Sequence, residues 1–188
     1  EGESYNAVLS DNRLGGRLAA NWLLDHGSRR IGVFTGPLDH IAWSQRLDGV
    51  RDALLASRLY LSNTDCCIAE QATSESLHRA ATAWINTGDL PDGIVATSDH
   101  AMQVLAAVHE AAGDSRSRPP PKLVGFDSEI GYSPYLRDSP HVTTFPDQIG
   151  RKSLERMKQL METDILEDLP HTILVPIQLT EPRTNKPV

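Results

Sequence analysis

The stretch KLVGFDSE (residues 122–129) places a short apolar run directly before an aspartate, a serine and a glutamate. The run contains Leu123, Val124 and Phe126 and predicts a buried β-strand. Asp127, at the carboxyl end of that strand, has two interpretations. Aspartate satisfies backbone donors where strands stop, so the residue is typical of a turn. Ligands of open parallel sheets bind beyond the carboxyl ends of the strands, so Asp127 is also a candidate ligand contact.

Apolar strands alternate with amphipathic helices along the whole chain. Strand patterns also occur in RIGVFT (30–35), DCCIAE (65–70), GIVATSD (93–99) and TILVPIQL (172–179). Helical patterns occupy the segments 11–27, 43–57, 74–85, 100–113 and 149–161. Such alternation is typical of an α/β fold whose mostly parallel sheet has helices on both faces. The chain opens with YNAVLSDN, which resembles the end of a strand that leads into a helix, so we expect a piece of a longer protein.

The composition limits which partners the chain can bind. Its 188 residues carry a formal charge of −7, and basic residues occur only in short pairs such as Arg29–Arg30. Because binding of phosphate backbones requires a basic face, we do not expect this chain itself to bind nucleic acid. No apolar run is long enough to predict a membrane span, and the polar start EGES does not predict a signal peptide. The two cysteines, Cys66 and Cys67, are adjacent, which fits reduced thiols and a cytoplasmic location.

Several polar residues follow the carboxyl ends of the predicted strands. The candidate ligand-binding residues are His40, Arg46, Ser98, Asp99 and Asp127. Arg46 offers a planar fork of donors and Asp127 accepts two hydrogen bonds, a combination that suits a polyol or a nucleobase. Each candidate also has an ordinary interpretation: Arg46 as a solvated residue, Ser98 or Asp99 as a helix cap, and His40 as part of a surface loop.

Motifs of the common enzyme classes are missing from the sequence. It contains no G-x-S-x-G, G-x-x-x-x-G-K-[ST], G-x-G-x-x-G or H-E-x-x-H motif. The glycine pair in DNRLGGR (11–17) lies inside a helical pattern and therefore indicates close packing. The pair Asp127 and Glu129 leaves an α/β hydrolase as an alternative, because two carboxylates can perform acid and base catalysis. We predict a binding protein rather than an enzyme, with no cofactor and no metal.

A set of short motifs occurs in a definite order. The motifs are DN-x-x-GG-x-x-A (Asp11 to Ala19), GSRRI (27–31), GP with a later R-L-x-G (Pro37, Arg46, Gly49), SD (Ser98, Asp99), LVGFD (123–127), TT (143–144) and IGR (149–151). In this order they resemble the effector-binding core of LacI/GalR-type bacterial transcriptional regulators, a core shared with periplasmic sugar-binding proteins. The resemblance implies a type I periplasmic-binding-protein-like fold, with one nearly complete lobe and part of a second.

The resemblance also implies a division of the chain into lobes. Residues 5–26 and 147–172 would be a remnant of the N-terminal lobe, and residues 29–141 and 173–183 would form the C-terminal lobe. The DNA-binding head of such regulators would be absent from this chain.

The resemblance further implies a mechanism. Arg46 and Asp127, often with the position of Ser98, would hold a small polar effector, sugar-like or nucleoside-like, in a cleft between the lobes. The effector would change the angle between the lobes and thereby the spacing of the DNA-binding heads in a homodimer of a repressor. Operator DNA would be bound only through the missing head. Candidate dimer contacts are Met102, Leu105, Ala106 and Tyr135, although Met102 and Leu105 are equally typical of an ordinary core.

Two segments and one residue depart from the pattern of sugar-responsive relatives. The segment EQATSES (70–76) lacks the aromatic residue that often stacks on the sugar, and Leu14 replaces a polar contact. The segment between Thr144 and Ile149 is shorter than usual. These departures argue against a standard hexose effector. A solute-binding receptor of a sugar transporter, which uses the same fold, stays the alternative.

Overall fold

The structure is a computed structural model that describes residues 6–112, 119–127, 139–162 and 172–181. Its strands are β1 (Ala7–Ser10), β2 (Ile31–Thr35), β3 (Cys66–Ile68), β4 (Gly93–Ala96), β5 (Lys122–Phe126), β6 (His141–Thr143), β7 (Thr172–Val175) and β8 (Gln178–Thr180). Its helices are α1 (Asn12–Asp25), α2 (Ile41–Ala56), α3 (Ser74–Asn86), α4 (Asp99–Ala111) and α5 (Pro146–Glu162), with a short 3-10 turn at Asn63–Asp65. The predicted alternation of strands and helices is confirmed, except that the strand predicted over 172–179 is two strands, β7 and β8, in different sheets, and that β6 was not predicted.

The contacts divide the chain into two units. The smaller unit contains the described residues up to Asp11 and those from Thr144 to Ile177. Its β1 and β7 form a parallel pair in which Ala7 lies opposite Thr172, and α5 packs against β1. Arg156 on α5 is buried, and its Nε and Nη2 both donate to Asn6 Oδ1, at 2.9 and 2.7 Å.

The larger unit contains a six-stranded sheet in the order β3-β2-β4-β5-β6-β8. All neighbouring strands are parallel except β8, which runs antiparallel to β6. On one face, Phe34, Ile94 and Leu123 form a buried cluster with α3 and α4. Because side chains alternate along a strand, Val95 on β4 and Phe126 on β5 face the other side of the sheet, where α1 and α2 pack together. The predicted α/β fold with a mostly parallel sheet is confirmed.

Helices α1 and α2 approach each other so closely that their backbones touch. A Cβ atom added at Gly16 would lie 1.9 Å from the carbonyl oxygen of Arg46, and one added at Gly49 would lie 2.0 Å from the carbonyl oxygen of Arg13. No side chain fits at either position. The sequence predicted close packing for the glycine pair of α1, and Gly16 confirms it.

The two units differ from the predicted lobes at two elements, α1 and β7. The prediction placed residues 173–183 in the C-terminal lobe, whereas β7 pairs with β1 and belongs to the smaller unit. The prediction placed residues 5–26 together in the N-terminal lobe, whereas α1 packs on α2 and belongs to the larger unit. The chain passes from the smaller to the larger unit between Asp11 and Asn12. The reason is the glycine contact with α2, which holds α1 against the larger unit's own helices. The assignment of the units to lobes of a complete protein stays a prediction.

A search of the described residues for membrane helices and metal sites found neither. No described helix combines the length and apolar character required to cross a membrane. Among the same residues, no three histidine, cysteine or carboxylate side chains are grouped as metal ligands.

Candidate functional site

Arg46 is the buried cation at the carboxyl edge of the larger sheet. It lies in the second turn of α2, and its side chain is only 9% exposed. Nε donates a hydrogen bond to Asn12 Oδ1 at 3.0 Å, and Nη1 donates to the carbonyl oxygen of Thr97 at 2.7 Å. Thr97 follows β4 directly, and its hydroxyl donates to Thr35 Oγ1 on β2 at 2.6 Å. These bonds fix the guanidinium beside the ends of β2 and β4.

The surroundings of the Arg46 guanidinium compensate its charge only in part. Its Cζ atom lies 4.0 Å from the centre of the Phe126 ring, an arrangement that allows a cation–π interaction. Its Nη2 lies 3.8 Å from Asp127 Oδ2, which is close enough for an ion pair and too long for a hydrogen bond. Burial lowers the pKa of Arg46 to about 10, and the attraction of Asp127 opposes that shift. The group stays protonated at neutral pH, in an environment that favours an added acceptor.

Asp127 combines a turn conformation with a position next to Arg46. Its φ of +53° lies in the left-handed region, which aspartate tolerates better than most residues. Its backbone N–H donates to the carbonyl oxygen of Val142 on β6 at 2.9 Å, and its side chain is 42% exposed. The backbone of Asp127 therefore has the conformation of a turn residue, as one interpretation of the sequence predicted. The exposed carboxylate next to Arg46 fits the ligand interpretation, which stays a prediction.

Ser98 and Asp99 both lie where β4 leads into α4. Ser98 is the N-cap, since its Oγ accepts a hydrogen bond from the backbone N–H of Ala101 at 3.1 Å. Asp99 is the first residue of the helix, and its carboxylate accepts from Gln103 Nε2 at 2.6 Å. The helix cap is thus Ser98 rather than Asp99. If Ser98 or Asp99 contacts a ligand, its side chain has to do so in addition to, or in place of, these hydrogen bonds.

His40 is a surface residue whose ring contacts Trp43. It is exposed, it precedes α2, and its ring stacks on Trp43 with centroids 4.2 Å apart. The Trp43 ring covers Gly36, where an added Cβ would lie 2.4 Å from a ring carbon. Trp43 thus packs the start of α2 onto the end of β2.

The proposed dimer residues on α4 are buried within their own chain. Met102, Leu105 and Ala106 are at most 2% exposed and belong to the cluster under the sheet. The Met102 sulfur lies so close to Gly125 that a Cβ there would be 2.0 Å from it. Within this chain the three residues are therefore part of the core, and their role in a dimer stays a prediction. Tyr135 and Glu129 lie outside the described residues.

Two site residues were missed in the sequence. Asn12 and Phe126 belong to motifs that were recognised, but no contact with Arg46 was expected of them. Residues 70–76, where sugar-responsive relatives often have an aromatic residue, contain none in this chain, and Gln71 in this segment is exposed. Leu14, the second departure, is half-buried in α1.

Comparison with known proteins identifies the family. The family model described as "periplasmic binding protein-like domain" matches residues 20–184. The chain belongs to this family.

Relatives of the chain within the periplasmic binding protein-like family are transcriptional regulators. The regulator CelR of Thermobifida fusca is 32% identical over 126 residues, which are 66% of this chain and 36% of that protein. The repressor PurR of Photobacterium profundum is 28% identical over 155 residues, 82% of this chain and 45% of that protein. The chain thus spans less than half the length of these two relatives.

A solved structure with the same fold is a complex of the regulator CelR with cellobiose. It superposes with a TM-score of 0.80 at 25% identity and covers 96% of this chain and 54% of that one. The resemblance to LacI/GalR-type regulators is confirmed by these relatives. They do not favour the transport receptor, and they are regulators rather than enzymes.

Proposed function

We propose that this chain is the effector-sensing core of a LacI-type transcriptional repressor, with Arg46 and Asp127 as its principal effector contacts. The observation that carries the proposal is the buried guanidinium of Arg46, held by Asn12 and Thr97 and directed at a half-exposed carboxylate. Burial lowers the pKa of Arg46, its charge is only partly compensated, and groups of this kind cluster at functional sites, which supports a binding role.

The geometry of the pair selects the chemistry of the effector. Arg46 can only donate hydrogen bonds, and ionised Asp127 can only accept them. A group that accepts from Nη2 and donates to Oδ2 fits the 3.8 Å separation of these two atoms. A hydroxyl does both, as do adjacent acceptor and donor atoms on the edge of a nucleobase. The Phe126 ring, 4.0 Å from Arg46 Cζ, packs against the guanidinium and favours its charged form. A sugar-like or nucleoside-like effector satisfies these requirements, and cellobiose, bound by CelR, is a first compound to test.

The effector would act by shifting a conformational equilibrium of the complete protein. A ligand that binds one conformation more tightly stabilises it by its differential affinity, typically about 1–3 kcal/mol in coupled systems. In a homodimeric repressor that shift would change the spacing of DNA-binding heads outside this chain. With its net charge of −7, this core is not expected to contact operator DNA itself.

The proposal is tested by thermal unfolding of the complete protein that carries this chain. A panel of cellobiose, monosaccharides, nucleosides and free bases is screened for a rise in Tm. We expect one class to stabilise the wild type, and Arg46→Lys and Asp127→Asn to remove most of that rise. Each loses a hydrogen bond to a charged group, worth about 1.5–3 kcal/mol.

The control variant is Arg51→Ala. Arg51 lies on the same helix, is exposed, and pairs only with Asp48 among the described residues. It should keep the full rise in Tm. If the Arg46 and Asp127 variants also kept it, the site assignment would be wrong. A gel-shift assay with operator DNA then tests regulation: an effector that leaves DNA affinity unchanged contradicts the repressor role.

A further inference from the structure

Asn12 is a buried polar residue at the very start of α1. Its side chain does not face solvent, and the residue is only 6% exposed. Its Oδ1 accepts from Arg46 Nε at 3.0 Å, and its Nδ2 donates to Gln45 Oε1 at 3.4 Å. Because Nε of arginine can only donate, the orientation of the Asn12 amide follows from this network. The amide of Asn12 therefore serves α2 rather than its own helix.

Helix α1 also fixes the main chain of Arg46. The α-carbon of Gly16, one turn after Asn12, lies so near the Arg46 carbonyl oxygen that a Cβ would be 1.9 Å from it. Direct backbone contact prevents α2 from sliding or rotating at this point. One helix thus fixes Arg46 twice, at the carbonyl through Gly16 and at Nε through Asn12.

We propose that Asn12 is the positioning residue of the effector site. By accepting from Nε, it turns the Nη edge of Arg46 towards Asp127, 3.8 Å away, before any effector is present. A long arginine side chain otherwise loses considerable rotamer freedom when it binds, and prior immobilisation avoids that cost. This inference rests on the proposed function in one respect: Arg46 has to be an effector contact for the positioning to affect binding.

The position of Asn12 in the chain gives this contact a second consequence. Asn12 is the first residue of the larger unit, directly after Asp11, where the chain leaves the smaller unit. Its hydrogen bond therefore links Arg46 to the first residue of the larger unit.

The positioning role is tested without any effector, by the reactivity of Arg46 towards butane-2,3-dione. The complete protein is treated with the reagent, and modification of each arginine is followed by peptide mass spectrometry. Arg46 in the wild type should react slowly, and exposed Arg51 on the same helix serves as the internal standard. Asn12→Ala should speed the reaction of Arg46 on the order of tenfold, the effect of losing one hydrogen bond to a charged group.

Two further variants separate positioning from general loosening of the fold. Asn12→Asp keeps the acceptor oxygen, so Arg46 should react no faster than in the wild type. Asn21→Ala, the same substitution at an exposed position of α1, should also leave the rate unchanged. If Asn12→Ala does not fold, Asn12→Ser, whose hydroxyl is too short to reach Nε, makes the same test.

The outcomes distinguish this inference from the proposed function. An unchanged rate in Asn12→Ala, or an equal increase in Asn12→Asp or Asn21→Ala, would overturn the positioning role. If the rates behave as expected, the compound that raises the wild-type Tm should bind Asn12→Ala about tenfold more weakly and Asn12→Asp with at most a small loss. If Arg46 of Asn12→Ala reacted faster but the variant bound the compound as tightly as the wild type, the positioning of Arg46 would not contribute to binding. Absence of any stabilising compound for the wild type would instead count against the proposed function.

Discussion

Replacement of Gly16 by alanine is expected to destabilise the larger unit strongly. The new Cβ would lie 1.9 Å from the Arg46 carbonyl oxygen and 2.9 Å from the backbone nitrogen of Val50. An ordinary contact requires at least 3.4 Å, so the first distance is too short by roughly 1.5 Å. Both neighbours are backbone atoms of α2, and neither can rotate away as a flexible side chain would. The two helices would have to separate.

The magnitude follows from two opposing effects. Alanine in a helix interior is favoured over glycine by about 1 kcal/mol. Overpacking of a close-packed interior costs about 1–3 kcal/mol and occasionally more. Because the clash at Gly16 is with backbone, we expect a value above that range and a net loss of at least about 2 kcal/mol. With an m-value of about 2 kcal/mol/M, the urea midpoint should fall by about 1 M.

The assay is urea unfolding followed by far-UV circular dichroism, with Gly150→Ala as the matched control. Gly150 is also helical, in α5, and an added Cβ there meets nothing within 4 Å. Gly150→Ala should therefore leave the protein as stable as the wild type or slightly more stable. A Gly16→Ala variant with the urea midpoint of the wild type would refute the backbone contact between α1 and α2.

Three further predictions concern local chemistry. Ser98→Ala should lower stability by about 1 kcal/mol through loss of the α4 cap, measured by urea unfolding, and Ser98→Asp should restore it; equal losses in both variants would contradict the capping role. Burial raises the pKa of Cys67 to about 12, so its alkylation by iodoacetamide at pH 8 should be far slower than that of free cysteine, and an equal rate would contradict its burial. The Arg13 guanidinium lowers the pKa of the Asp52 carboxyl below its ordinary value of 3.8. The ion pair therefore stabilises the folded protein at pH values above 3.8, and this stabilisation is lost as the pH falls through the lower pKa of the folded state. Asp52→Asn should weaken that acid dependence, and an identical pH profile would exclude the effect.

The sequence predicted the sheet and the proximity of Arg46 and Asp127 for physical reasons, while their role as effector contacts stays a prediction. Apolar strands that alternate with amphipathic helices have few ways to bury their faces, so a mostly parallel sheet follows from pattern alone. Asp127 lies just beyond a predicted strand, Arg46 lies near the start of the helix that follows another one, and carboxyl ends of parallel strands meet at one edge. Their proximity, 3.8 Å between Nη2 and Oδ2, therefore agrees with what the pattern implies.

Partners across helices were not predictable in the same way. The bond from Arg46 to Asn12 joins residues 34 positions apart on two helices, and no periodicity specifies it. An apolar stripe on a helix does not indicate which surface packs against it. The pattern of Met102 and Leu105 on α4 fits a dimer face or a core, and in the structure both residues are buried in the core of this chain. The glycines of α1 indicated close packing, but only the structure identifies the Arg46 carbonyl as the group that Gly16 touches.

The most direct test of the central claim is a crystal structure of the complete protein with the compound that raises its Tm. We expect the compound to lie at the carboxyl edge of the larger sheet, to accept a hydrogen bond from Arg46 and to donate one to Asp127. Arg46 should keep its bond to Asn12 in that complex. A compound bound with neither Arg46 nor Asp127 within hydrogen-bond distance would contradict the account.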